Sequence, residues 1–193
     1  MSWVTERRTP MKHVYILLSK TGTVPSMLIN KMTRGTFTHT SLSLTPTTDH
    51  LYSYARRRLH NPLNAGIMIE DIHDFVFAQY PDCHCALFAV EVSDEGYEKI
   101  KQCIEYYLQN YKKAKYNFLG ILPLRLGFRM ARKFRLVCSQ FVAVALHASE
   151  DVVLPKDPYL MLPNDFPHIC GIELIYDGLL KDCVVSVPEY ASV

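Results

Sequence analysis

The stretch from Cys138 to His147 (CSQFVAVALH) is apolar on nearly every side. A helix of that kind has no face to offer water, so it belongs inside the molecule with other elements wrapped around it. The wrapping is expected to come mainly from strands. His13 to Ser19 (HVYILLS) is a β-type run long enough for a buried strand. Thr38 to Leu44 alternates, with His39, Ser41 and Ser43 on one side and Leu42 and Leu44 on the other. Leu51 to Ala55 follows through a Pro-Thr-Thr-Asp turn. A loop-rich stretch then runs from Arg56 to Gly66. Short strands are expected at Ile67 to Glu70 and Phe75 to Phe77, and further strands at Cys85 to Val92, Ile172 to Tyr176 and Val184 to Val187.

Two further helices are predicted. Thr23 to Met32 has Pro25 in its first turn and Gly35 beyond its end. From Asp94 to Lys113, residues Tyr97, Ile100, Ile104, Tyr107, Leu108 and Tyr111 recur at helical spacing on one face. Asp94, Glu95 and Glu98 would face the positive end of the helix dipole, and Lys112 and Lys113 the negative end. Strands in both halves with a few helices make an α+β domain. The 193 residues hold no repeat or composition break, so a single domain is expected, with residues 1–11 as a loose N-terminal extension.

Composition excludes several classes. A hydrophobic content of 49% with 21% charged residues is that of a globular chain, not a disordered one. A net charge of +2 is too balanced for a dedicated nucleic-acid binder. No apolar run is long enough to insert stably in a bilayer, and the start is too short in apolar residues for a secretory signal. A cytoplasmic location is the expectation. The six cysteines are scattered, which points to reduced thiols rather than a disulfide framework. Cys83-His84-Cys85 lacks the second ligand pair a zinc site needs, so no metal is expected.

Cys138 is the thiol whose position carries chemistry. It opens a helix, where unpaired amides and the dipole favour the thiolate. The plain alternative is a small buried hydrophobe. His39, on a strand with a polar face, is the natural base; the plain alternative is a half-exposed histidine bonded to a carbonyl. A nucleophile on a central helix needs a base held on a rigid neighbour, and the two residues together meet that need.

The order of these pieces, HTSLSL, then LYSYARR, then YNFLG, then RLVCSQFVAVAL, resembles the circularly permuted papain-like cysteine hydrolases of the NlpC superfamily, a branch shared with retinol acyltransferase-like proteins. The resemblance spans roughly Lys12 to Tyr176. It implies an antiparallel sheet packed on the Cys-bearing helix, with Cys138 as nucleophile, His39 as base and then acid, and the Cys138 amide as an oxyanion donor. Tyr116 matches an aromatic that lines such sites. The family's third polar residue falls on Ser53, a departure from the usual His, Asn, Gln or Glu; His50 and Glu70 are the alternatives. No cofactor is implied.

Arg125, Arg129, Arg132, Lys133 and Arg135 lie together with no acid among them. They read either as a solvated face or as a rim for a carboxylate, phosphate or lipid headgroup, with Arg129 and Arg132 as substrate contacts. The expected function is a thiol hydrolase of amide bonds in peptide, isopeptide or peptidoglycan-type substrates. The alternatives are an acyltransferase or thioesterase acting on lipid acyl groups, and an inactive anion-binding domain on the same fold.

Overall fold

A computed structural model describes residues 11–20, 36–58, 61, 64–73, 77–80 and 82–183. The expected helix at Thr23 to Met32 and strand at Val184 to Val187 lie outside these residues, as does Phe75. Phe77 sits in a 3-10 turn, Phe77–Gln79, and not in a strand.

The architecture is mixed α+β around one large, mostly antiparallel sheet. Its strands in chain order are β1 (Met11–Ser19), β2 (His39–Ser43), β3 (Leu51–Arg56), β4 (Ala65–Glu70), β5 (His84–Ser93), β6 (Lys115–Tyr116), β7 (Arg135–Leu136) and β8 (Glu173–Leu179). In space they run β7-β6-β4-β3-β2-β1-β5-β8, and only the β6–β7 pair is parallel. Strand β1 begins at Met11, which pairs with Ser93, so Met11 belongs to the sheet and not to a loose extension.

Alternation divides the sheet's residues between two cores. Val14, Ile16, Leu18, Leu42, Tyr54 and Ile67 join the larger one, which also takes the helices. Leu17, Leu51, Cys85 and Leu87 join a smaller one with Phe77, Leu180 and Cys183. Helix α1 (Asp94–Gln109) buries Ile100, Ile104 and Tyr107 on the larger core. It is started by Ser93, whose hydroxyl accepts from the Gly96 amide at 3.0 Å. It stops four residues short of the expected end, where the Tyr111 and Lys113 amides bond carbonyls three residues back, at 3.0 and 2.8 Å, and the helical pattern gives way to turns. Lys112 and Lys113 therefore fall beyond its last turn.

A short helix, α2 (Ile121–Arg125), leads to α3 (Cys138–Ala148). From Cys138 to Leu146 every α3 residue except the half-buried Val144 is buried, as an all-round apolar helix demands. Helix α3 packs on β2 and β3, which brings its first residue to the end of the strand that carries His39.

Candidate active site

Helix α3 starts where Val137 leaves an extended backbone conformation, and the Gln140 side chain accepts the Val137 amide at 3.1 Å. Amides in the first turn have no carbonyl four residues back to bond. The Ser139 amide turns to the Cys138 sulfur, and so does the backbone of Thr40 on β2. Cys138 is thus fixed between a helix terminus and a strand, 2% exposed.

His39 lies at the head of β2, paired across to Ser19. Its Nε2 bonds the Glu70 carboxylate at 2.9 Å and lies 3.2 Å from the Ser41 hydroxyl. The Cys138 thiol also hydrogen-bonds this ring.

Glu70 reaches this point through strand register. Leu42 pairs with Tyr52, which sets Ser41 across from Ser53, and Leu51 pairs with Glu70. The side chains of Ser41, Ser53 and Glu70 therefore meet on one face of three neighbouring strands. Ser41 donates to Glu70 at 3.0 Å, and Ser53 donates to the same oxygen. A buried carboxylate with this many donors is well compensated for its lost hydration.

This arrangement corrects one expectation. The residue behind the imidazole is Glu70, and Ser53 stands one bond further out, steadying the carboxylate. His50 is exposed and is not part of this network. A carboxylate orients and charges an imidazole more strongly than a hydroxyl does.

The electrostatics follow from the contacts. Burial opposes charge on His39, but the Glu70 charge and the hydrogen bonds to Cys138 and Glu70 outweigh it, raising the imidazole from 6.5 to about 10. Burial likewise opposes ionisation of Cys138, and the bond to and charge of His39, with the Thr40 and Ser139 amides, reverse it and lower the thiol. Glu70 is held low against the cost of burial by the His39 charge and the three donors. Both shifts favour a thiolate–imidazolium pair over a neutral one, with a carboxylate behind the ring. Tyr116 is buried beside the thiol, and desolvation and the Cys138 charge push its phenol up.

The two arginines expected to contact substrate lie on the surface. Arg129 pairs with Asp157 at 2.8 Å and lies over the Tyr159 ring, 4.9 Å from its centroid. Arg132 is exposed in the loop beyond. Neither has a bond to Cys138, His39 or Glu70 among the described residues.

Three side chains that brace the site are not legible in the sequence. Ser139 donates to the Met161 carbonyl and Gln140 to the Tyr159 carbonyl, each at 2.7 Å. Asn164 clasps Phe37 from both sides, accepting its amide at 3.1 Å and donating to its carbonyl at 2.9 Å. The segment after Pro155 is thus a packed strap, with Met161 and Phe166 fully buried, that ties α3 to the start of the His39 strand.

Among the described residues, one group could hold a metal: Asp49, Asp71 and His73 bring ligand atoms within 4.8 Å of one another, with both Asp49 and His73 exposed. No helix of the described residues is long and apolar enough to cross a membrane. No protein-family model matches the chain, and no curated protein matches it.

Proposed function

We propose that the protein is a thiol hydrolase that cleaves amide bonds through an acyl-enzyme. The observation that carries this reading is the single imidazole of His39, bonded to the Cys138 thiol and to the Glu70 carboxylate. That constellation is what a charged thiol nucleophile requires. Its arrangement on strand and helix, with His39 ahead of Cys138 in the chain, fits a circularly permuted papain-like domain of the NlpC type.

The Cys138 thiolate attacks the carbonyl carbon, forming a C–S bond while the carbonyl π pair moves to oxygen. First-turn amides of α3 face the growing negative charge. The tetrahedral adduct collapses, the C–N bond breaks, and the His39 imidazolium gives its proton to the departing amine. Neutral His39 then takes a proton from water as that water attacks the thioester. Collapse expels the Cys138 thiolate and leaves the imidazolium again. Glu70 keeps the ring oriented and offsets its charge throughout. The substrate class we favour is a peptide, isopeptide or peptidoglycan-type amide. We place the protein in the cytoplasm, where a nucleophilic thiol stays reduced.

The test is a stoichiometric burst with an activated ester such as p-nitrophenyl acetate, followed by mass spectrometry of the acylated peptide. The expected result is acyl on Cys138 and no burst in Cys138→Ala. A burst that persists in Cys138→Ala would overturn the assignment.

A further inference from the structure

The segment between Tyr116 and Cys138, two residues of the candidate site, exposes more apolar surface than its position in the chain explains. Helix α2 buries Ile121 and Leu124 against the core. Its opposite side carries Leu122, 56% exposed, and Leu126, 63% exposed, one turn apart. Leu119, in the turn just before, is 82% exposed, and Phe128, just after, is 66% exposed. Four large apolar side chains within ten residues are thus turned to solvent while their neighbours fill the core.

The backbone holds this display in place. Gly127 takes a left-handed conformation with φ +76°, its amide bonds the Leu124 carbonyl at 3.1 Å, and the Phe128 amide bonds the Pro123 carbonyl at 2.9 Å. This is a glycine-closed helix end, which folds Phe128 back over the last turn of α2. Such closures commonly bury the returning apolar residue; here it stays exposed.

The charge of the same segment says what would cover the patch. From Phe118 to Val137 there are five basic residues and no acid. Arg129 is balanced by Asp157. Arg132, Lys133 and Arg135 are exposed and have no ion pair among the described residues. Exposed leucines and a phenylalanine in one short segment with exposed, unpaired cations suit the interface of an anionic bilayer, where acyl chains take the apolar groups and headgroups take the cations. A soluble anion would leave the leucines uncovered.

We propose that residues 118–135 dock this protein reversibly onto anionic phospholipid membranes, with Leu119, Leu122, Leu126 and Phe128 entering the interface. The binding rests on this surface and not on the thiol chemistry, so it stands or falls separately from the hydrolase reading.

The test is co-sedimentation with phosphatidylcholine vesicles, with and without phosphatidylglycerol, using Cys138→Ser so that no hydrolysis intervenes. The protein is expected to pellet with the anionic vesicles only, and less as salt rises. Leu126→Glu/Phe128→Glu and Arg132→Glu/Lys133→Glu should each weaken partitioning by at least about tenfold, since one basic residue is worth roughly fivefold. All four positions are exposed, and far-ultraviolet circular dichroism checks that the variants fold. Failure to pellet, equal pelleting on neutral vesicles, or binding unchanged in either variant would overturn the proposal. So would a wild-type dimer in analytical ultracentrifugation that Leu126→Glu/Phe128→Glu dissolves, because a second copy would then be the occupant.

Discussion

Cys138 and Cys85 are both buried thiols, and their environments drive them in opposite directions. Cys85 sits in the smaller core, where the bond to Cys183 and burial push its thiol far up. No cation is among the groups that act on it. Cys103 shows what burial does unaided, its thiol rising to about 11. Cys138 is at least as well buried, yet its thiol is lowered, because His39 and two backbone amides face the sulfur. What surrounds a thiol here, and not its exposure, decides which way its ionisation moves.

Removing each thiol sharpens the contrast most. Cys138→Ala should abolish the acyl burst, while Cys85→Ala should leave its amplitude intact. A burst lost in both would break the distinction. Next in size is the base. His39→Ala should slow acylation by on the order of 10²- to 10⁴-fold, as loss of a general acid–base group does. Burial would then govern Cys138, whose thiol should move above its ordinary value as the Cys103 thiol does. Stopped-flow acylation rates across pH check both points.

Glu70→Gln removes the charge and keeps the shape. A buried charge-assisted hydrogen bond is worth about 1.5–3 kcal/mol, so acylation should fall roughly tenfold to a hundredfold. The imidazole should also titrate below about 10. Histidine NMR of the variant reads that shift. An unchanged His39 would contradict the role given to Glu70.

The same groups set the pH range of stability. Glu70 is held below its ordinary 4.5, so its contribution is present above that pH and lost as pH falls through the folded value. His39 is raised above 6.5, so its contribution is full below that pH and lost as pH rises through about 10. Urea midpoints should therefore decline at both ends for the wild type, and Glu70→Gln should flatten the acid limb. The smallest effect is expected from the strap. Asn164→Ala removes two hydrogen bonds to Phe37 and should cost about 1–3 kcal/mol in a urea melt.

What the sequence carries of this site is what lies in local pattern. The apolar run after Cys138 requires a buried helix, and the polar alternation of β2 puts His39 and Ser41 on one face. Glu70 was open only as an alternative, because its place depends on which residue of β4 pairs with Leu51. A shift of one residue there would turn Glu70 to the other face. Ser53 was the nearer choice, since β3 follows β2 through a short turn. The Asn164 clasp joins residues 127 positions apart, which no spacing announces. Cys183 likewise looked solitary, and only the fold brings it to Cys85. In the basic segment the charges stand out, while nothing in the sequence announces that Leu122 and Leu126 are exposed.

The most direct test of the central claim is a pH titration of thiolate absorbance in the far ultraviolet, with Cys138→Ser subtracted so that only this sulfur is read. The wild type should show a thiolate already formed at neutral pH, and His39→Ala should move its formation above 9. A Cys138 that stays protonated at neutral pH, or one that ionises identically with and without His39, would contradict the account.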